Sequence, residues 1–327
     1  MSRSLRLLSA IVALISIGRP AEACPRDEHL EGIAIRLLLG EVETSPEALD
    51  AALRASGSTA IEASALVSRS EERLLGFERD QRARRGGEIR CGRADGEGTF
   101  ALVISGRGVD LAVRDGKLHA SLGPEYPRAT LVARTAEGDL VWENLSRGDL
   151  AEGVSLRDLG LRAPLPELQL LVDDPDGPRP IARLPGIARA RPRLYAGEEP
   201  RALVHRIRNQ RRLAPLRDSG ILDREAKEHA QTTCVSGRLA HRSESGDPEE
   251  RLRGRGIVAR VVGEALAKGS TRDAALRALL ESPSHLATIE DARFTDLGVG
   301  VARGERGICV VLLFASFPRY IPPPRRR

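Results

Sequence analysis

Three residues in the last third of this 327-residue chain, His241, Glu264 and His285, have side chains suited to chemistry. Two neutral imidazoles and a carboxylate can hold one divalent cation, zinc being the usual choice, with water completing the shell. The same set can instead polarise a water without metal, one histidine acting as general base while Glu264 orients it. Glu264 stands between apolar Val262 and Ala265, where an unpaired carboxylate is costly to bury, so a partner such as a histidine or backbone amides is expected. Other chemistries lack their motifs. GVSLRDLG (153–160) has no Gly-x-Ser-x-Gly elbow, no His-Glu-x-x-His pair occurs, and GRGVDLAV (106–113) resembles a phosphate-binding turn only superficially. His229, in AKEHAQ, is read as a helix-face residue, and His29, His119 and His205 are given no role.

Roughly 300 residues follow an N-terminal leader, a length that implies two domains. In the first, 24–190, apolar residues recur at helical spacing over 28–42, 45–56 and 59–85, and Ser45 with Pro46 and Glu47 is a helix start. The period then changes. TFALVISG (99–106), VDLAVRDG (109–116), KLHASLG (117–123), ATLVART (129–135) and LQLLVDD (168–174) read as short strands between Gly, Asp and Pro turns, with Asp115-Gly116 a hairpin turn. A helical leader to about residue 86 followed by a small β-sandwich is the plain reading. The Pro- and Arg-rich stretch 173–193 reads as a linker, and its Asp173, Asp174 and Asp176 as a turn, because the other ligands of a calcium loop are absent.

Five segments after residue 200, LVHRIRNQRRLAPL, ILDREAKEHAQTTCVSGRLAH, VVGEALAKG, SPSH and FTDLGVGVARG, resemble in that order those of the CAP family: cysteine-rich secretory proteins, antigen 5 and pathogenesis-related 1, also called SCP-like. LVHRIRNQRRLAPL (203–216) is similar to the opening helix of bacterial members through Arg208, Leu213, Pro215 and Leu216. ILDREAKEHAQTTCVSGRLAH (221–241) resembles the second helix running into the first cleft histidine. VVGEALAKG (261–269) resembles the Gly-Glu-Asn stretch, SPSH (282–285) the Ser-Pro-x-His turn, and FTDLGVGVARG (294–304) the strand that follows. The departures are His205 for Asn, Arg212 for Gly, Ala265 for Asn, Leu279 for Trp and Leu286 for Arg. Arg212 implies a helix end without its left-handed glycine cap.

The resemblance implies an α+β chain whose 198–317 form an α-β-α sandwich after a linker at 191–197, with a Pro/Arg-rich tail at 318–327. It places His241, Glu264 and His285 in one cleft, with Glu281 a weaker second acid, as the ligands of a divalent cation if one is bound. Four cysteines allow three pairings, and one bridge per domain gives Cys24–Cys91 and Cys234–Cys309. The family includes lipid and sterol binders, signalling proteins and proteases, so it selects no reaction. The reading preferred is a non-enzymatic one, with a small-molecule, lipid or envelope-polymer ligand in the cleft; the alternative is a peptidase-like hydrolase using the same residues.

Arg3 and Arg6 precede an apolar run at 7–17 too short to span a bilayer, and Ala21-Glu22-Ala23 supplies small residues for signal cleavage before Cys24. Ala21 and Glu22 disfavour lipidation at Cys24, so a secreted or periplasmic product without a transmembrane segment is expected. The formal charge of +5 includes +2 from residues 1–23, which hold three Arg and one Glu. The remaining +3 is mild, and Arg alternates with Asp and Glu along the chain, which argues against a nucleic-acid face.

Overall fold

The structure, a computed structural model, describes residues 24–85, 89–106, 109–135, 139–186, 192–305 and 307–318. The expected signal peptide at 1–23 and nearly all of the 318–327 tail lie outside them.

The first unit packs two helices, α1 (Glu28–Leu38) and α2 (Pro46–Ser56), with strand β1 (Ala63–Ser68) and helix α3 (Glu71–Arg84). With β2 (Ile89–Gly96) and β3 (Thr99–Gly106), β1 forms a three-stranded antiparallel sheet in the order β1-β3-β2. The single helix expected over 59–85 is thus a strand and a shorter helix. ASALVS pairs along its length with β3, and Ser70 then caps α3 by accepting from the Arg73 amide. Cys24 bridges to Cys91 on β2, with Cα atoms 5.8 Å apart.

Next come β4 (Leu111–Arg114), β5 (Lys117–Ala120), β6 (Arg128–Arg134), β7 (Leu140–Ser146), α4 (Arg147–Glu152), β8 (Val154–Ser155), β9 (Leu168–Asp174) and β10 (Gly177–Leu184). They make one sheet in the order β10-β9-β6-β7 and a smaller one, β4-β5-β8, with Leu118, Leu131, Leu150, Leu168 and Leu170 fully buried between them. The segment read as a linker from residue 173 is therefore the β9–β10 hairpin. Its prolines are tolerated because β10 is an edge strand, where a missing amide breaks no ladder. Asp173, Asp174 and Asp176 fall at its turn, where Asp174 Oδ1 accepts from the Asp176 amide.

The larger of these sheets has two apolar faces. Register places Val132 opposite Trp142 and Gln169, so these and, two residues along, Leu140 and Leu171 share one face, while Leu131, Leu168 and Leu170 take the other. The second face is the core just described; the first docks on the third unit.

That unit comprises α5 (Pro200–Gln210), β11 (Arg217–Asp218), α6 (Gly220–Ser236), α7 (Pro248–Gly254), β12 (Val261–Gly269), α8 (Arg272–Glu281), α9 (Pro283–Glu290), β13 (Asp296–Gly304) and β14 (Gly307–Ser316). The sheet β11-β13-β14-β12 has α6 on one face and α5, α8 and α9 on the other, an α-β-α sandwich in an α+β chain. Gly298 and Gly300 are required by α6: a Cβ on either would lie 2.2 and 2.1 Å from its backbone. Leu279 and Ala265, both fully buried, fill the core on the far face. Arg212 corrects one expectation. The left-handed turn after α5 is retained, with Arg212 itself at φ 56°, at a cost of roughly 1–2 kcal/mol for a side chain with a Cβ. Cys234 on α6 bridges to Cys309 on β14, with Cα atoms 5.6 Å apart. No helix among the described residues is long and apolar enough to cross a membrane.

Candidate functional site

Alternation along β12 turns Glu264 to the α6 side of the sheet, beside Leu266 and Val262. The carboxylate is buried there and fully paired. Oε1 accepts from His241 Nδ1 at 3.0 Å, and His229 Nε2 lies 3.6 Å away. Oε2 is bound by the Arg251 guanidinium, whose Nε donates to Glu225 Oε1 at 2.8 Å. Glu225 Oε2 in turn accepts from Arg255 at 2.5 Å. Burial alone would raise the Glu264 pKa, but the His241 hydrogen bond and the Arg251 charge outweigh it, so the carboxyl titrates below its ordinary range.

Arg251 also fixes the loop that carries His241. Its Nη1 donates to the His241 carbonyl at 2.6 Å and to the Gly246 carbonyl at 3.3 Å. The Asp247–Glu250 capping box starts α7 and so sets where Arg251 stands. On the other side of the loop, the Arg242 amide donates to the Asp176 carbonyl at 2.9 Å, and a Cβ on Gly177 would lie 2.7 Å from His241 Cβ. The β9–β10 turn therefore sits directly on the histidine.

His285 is the third residue of α9, after the Ser282 cap and Pro283. Arg208, fully buried, holds the far end of that helix by donating to the carbonyls of Ile289 and Asp291 at 2.9 Å. His285 Nδ1 is buried without a partner, and burial with a lesser push from His241 lowers its pKa to about 3. It is therefore neutral near neutral pH. An orphaned lone pair costs less than an orphaned N–H, which assigns the proton to Nε2. His241 has the opposite tautomer, because Nδ1–H donates to Glu264 and leaves the Nε2 lone pair unpartnered among the described residues.

His241, Glu264 and His285 all line one cavity of about 760 Å³, within the usual ~300–1,000 Å³ of ligand pockets. Its opposite wall comes from the β-rich unit: Leu140, Trp142, Leu171, Pro175, Pro178 and Pro180. The weaker candidate, Glu281, does not join them; it lies 3.8 Å from Arg54 on α2.

As a metal site the set does not fit. Both oxygens of Glu264 are engaged, one of them by a permanent cation. Among the described residues, the one group of three or more His, Cys, Asp or Glu with ligand atoms within 4.8 Å of each other is Cys24, Glu78 and Cys91, whose sulfurs are joined in a disulfide.

Sequence reasoning missed three residues. His229 is on a helix, as read, but on the face of α6 turned to the core: it is 3 % exposed, with Nε2 3.0 Å from the Ala240 carbonyl and its pKa lowered mainly by burial. Glu225 and Arg251 were not singled out at all. The signal lay in α6, where Glu225 and His229 fall in the stripe Leu222, Ala226, Ala230 that helical spacing buries.

The family model described as CAP, cysteine-rich secretory protein family, matches residues 201–314. Residues 201–314 are a CAP domain. Among solved structures, an outer surface protein from Borrelia burgdorferi is 21% identical over 36% of this chain and 90% of its own, with TM-score 0.34. An extracellular protein containing an SCP domain from Bacillus anthracis is 17% identical over 64% of this chain and 67% of its own (TM-score 0.32). A cysteine-rich secretory protein from Staphylococcus aureus is 10% identical over 73% and 89% (TM-score 0.31). No curated protein matches.

Proposed function

We propose that this is an exported protein whose CAP domain binds a ligand, without metal, in the cavity between that domain and the β-rich unit. The observation that carries the reading is the complementary imidazole pair. His241 offers an acceptor and His285 a neutral donor on the wall of one open cleft. Export is supported by the leader-like segment before Cys24 and by two disulfides, which persist in oxidising compartments. The test uses residues 24–327 and a panel of envelope lipids, peptides and glycans, read by thermal shift. A ligand that stabilises the wild type but not the His241→Ala/His285→Ala double variant is expected. Equal stabilisation of both by every ligand that acts would overturn the reading.

A hydrolase is the second reading, favoured by the 3.0 Å bond between His241 and Glu264. A water between the two imidazoles would give its proton to His241 Nε2 as it attacks, Glu264 would stabilise the imidazolium, and His285 Nε2–H would hold the developing hydroxide. General-base help of this kind is worth about 10²–10⁴ in rate. Under this reading Glu264→Gln loses turnover by that factor and remains folded by circular dichroism; a fully active variant removes it.

A further inference from the structure

We infer that the cavity is a carbohydrate site, with Trp142 of the β-rich unit as its stacking platform and the CAP histidines as its hydroxyl readers. The inference rests on the ligand-binding reading above and names the ligand class for that site. Trp142 is the only tryptophan of the chain, and it is 51 % exposed although it lies on the sheet face that docks against the CAP domain. Around it that face is covered. Val132 and Leu171 pack on Ala287 of α9, Gln169 Oε1 accepts from Ser282 Oγ and the Ser284 amide at 3.3 Å, and Arg134 pairs with Glu290 at 2.8 Å. The indole stays open because it faces the cavity.

The chemistry of the lining narrows the ligand by elimination. An anion would need a free cation, but the two arginines of the wall are matched, Arg242 by Glu250 at 2.9 Å and Arg293 by Asp291 at 2.6 Å. A cation would need a free carboxylate, yet Asp174 pairs with Arg179 at 2.9 Å, Glu249 with Arg253 at 2.6 Å, and Asp247 caps α7. An alkyl chain would cover the unsatisfied Nε2 atoms of His241 and His285 without giving either a partner, at a cost of roughly 1–3 kcal/mol for each buried unsatisfied group. What remains is a neutral molecule with an apolar flat face and hydroxyl or amide groups at its edge. A pyranose ring is that molecule: its C–H face lies on an indole, and its hydroxyls both donate and accept.

The decisive experiment titrates residues 24–327 with chitotetraose, a neutral oligosaccharide with acetamide groups, while following the emission of Trp142. Palmitate and phosphatidylglycerol vesicles are run in parallel. A saturable change with the sugar is expected. By calorimetry, its affinity should fall at least about tenfold in Trp142→Ala, the loss of a central aromatic anchor, and should be largely kept in Trp142→Phe. A response to lipid alone that disappears in the His241/His285 double variant overturns the carbohydrate assignment while leaving the cleft reading standing. No emission change with any of the three, or equal sugar affinity in Trp142→Ala, overturns the assignment outright.

Discussion

Two clusters of arginine and carboxylate flank the CAP domain, and only one of them includes residues lining the cavity of the proposed site. At the seam between units, Arg183 donates to Asp50 at 3.0 Å and to the Ala60 carbonyl, while Arg54 binds Asp50 at 2.9 Å and Glu167 at 2.6 Å and approaches Glu281. In the cleft, Arg251 joins Glu225 to Glu264, with His229 and His241 around the same carboxylate. The seam pairs arginines with carboxylates and includes no histidine among the described residues. The cleft adds imidazoles, and one of them, His241, lines the cavity that a ligand can enter. Burial of an ion network alone therefore does not mark a functional site; under the proposed reading the mark is a titratable group that is joined to the network and also lines a cavity.

The comparison is tested most severely by removing the central arginine of each cluster. Arg251→Met leaves Glu264 and Glu225 buried in the core without their shared cation, which should cost about 3–5 kcal/mol. Arg183→Met should cost far less, about 1 kcal/mol, because Asp50 keeps Arg54 and is partly open to water. Urea unfolding of the two variants against wild type measures both. Equal losses would mean that the seam is as demanding as the cleft.

Acid separates the clusters next. The folded-state pKa of His285 is about 3 against an ordinary 6.5, so as pH falls below 6.5 the unfolded chain binds a proton that the folded chain refuses. Stability contributed by the neutral ring is full above pH 6.5 and declines toward pH 3. At pH 5 the loss is about 2 kcal/mol. Glu264, whose pKa is lowered, loses its contribution as pH falls further, in the same direction. No histidine stands in the seam cluster. The melting temperature of His285→Phe should thus change less between pH 7 and 5 than that of wild type, and identical slopes would show that the ring is not held neutral.

Much of the CAP domain was legible because its motifs answer local geometric demands. Gly298 and Gly300 must be bare under α6, Ser282 caps the helix of His285, and Arg208 closes that helix at its other end. The three central residues of the cleft were legible for the same reason. The rest depended on long-range pairing. ASALVS has the composition of a helix or a strand until β3 pairs with it, and the prolines of β10 disguise an edge strand as a linker. Arg251 hides among the many arginines of the chain, and nothing local to Trp142 shows that its side of the sheet meets the CAP domain.

Gly177 is where the β-rich unit touches the cleft, and it gives the finest test of the contrast. Its φ of 106° is open to glycine alone, and an added Cβ would meet His241 Cβ at 2.7 Å. Gly177→Ala must therefore strain the β9–β10 turn and displace the histidine or the turn itself. The stability cost should be modest, roughly 1–2 kcal/mol. Its local effect should fall on one cluster only. By NMR, the His241 ring resonances should shift while the Arg54 and Arg183 guanidinium signals remain in place, because the turn contacts the loop of His241 and neither arginine. Should the seam signals move as well, the two clusters are one mechanical unit, and the β-rich wall acts on the histidine by shifting the whole docked face rather than through the turn that rests on it.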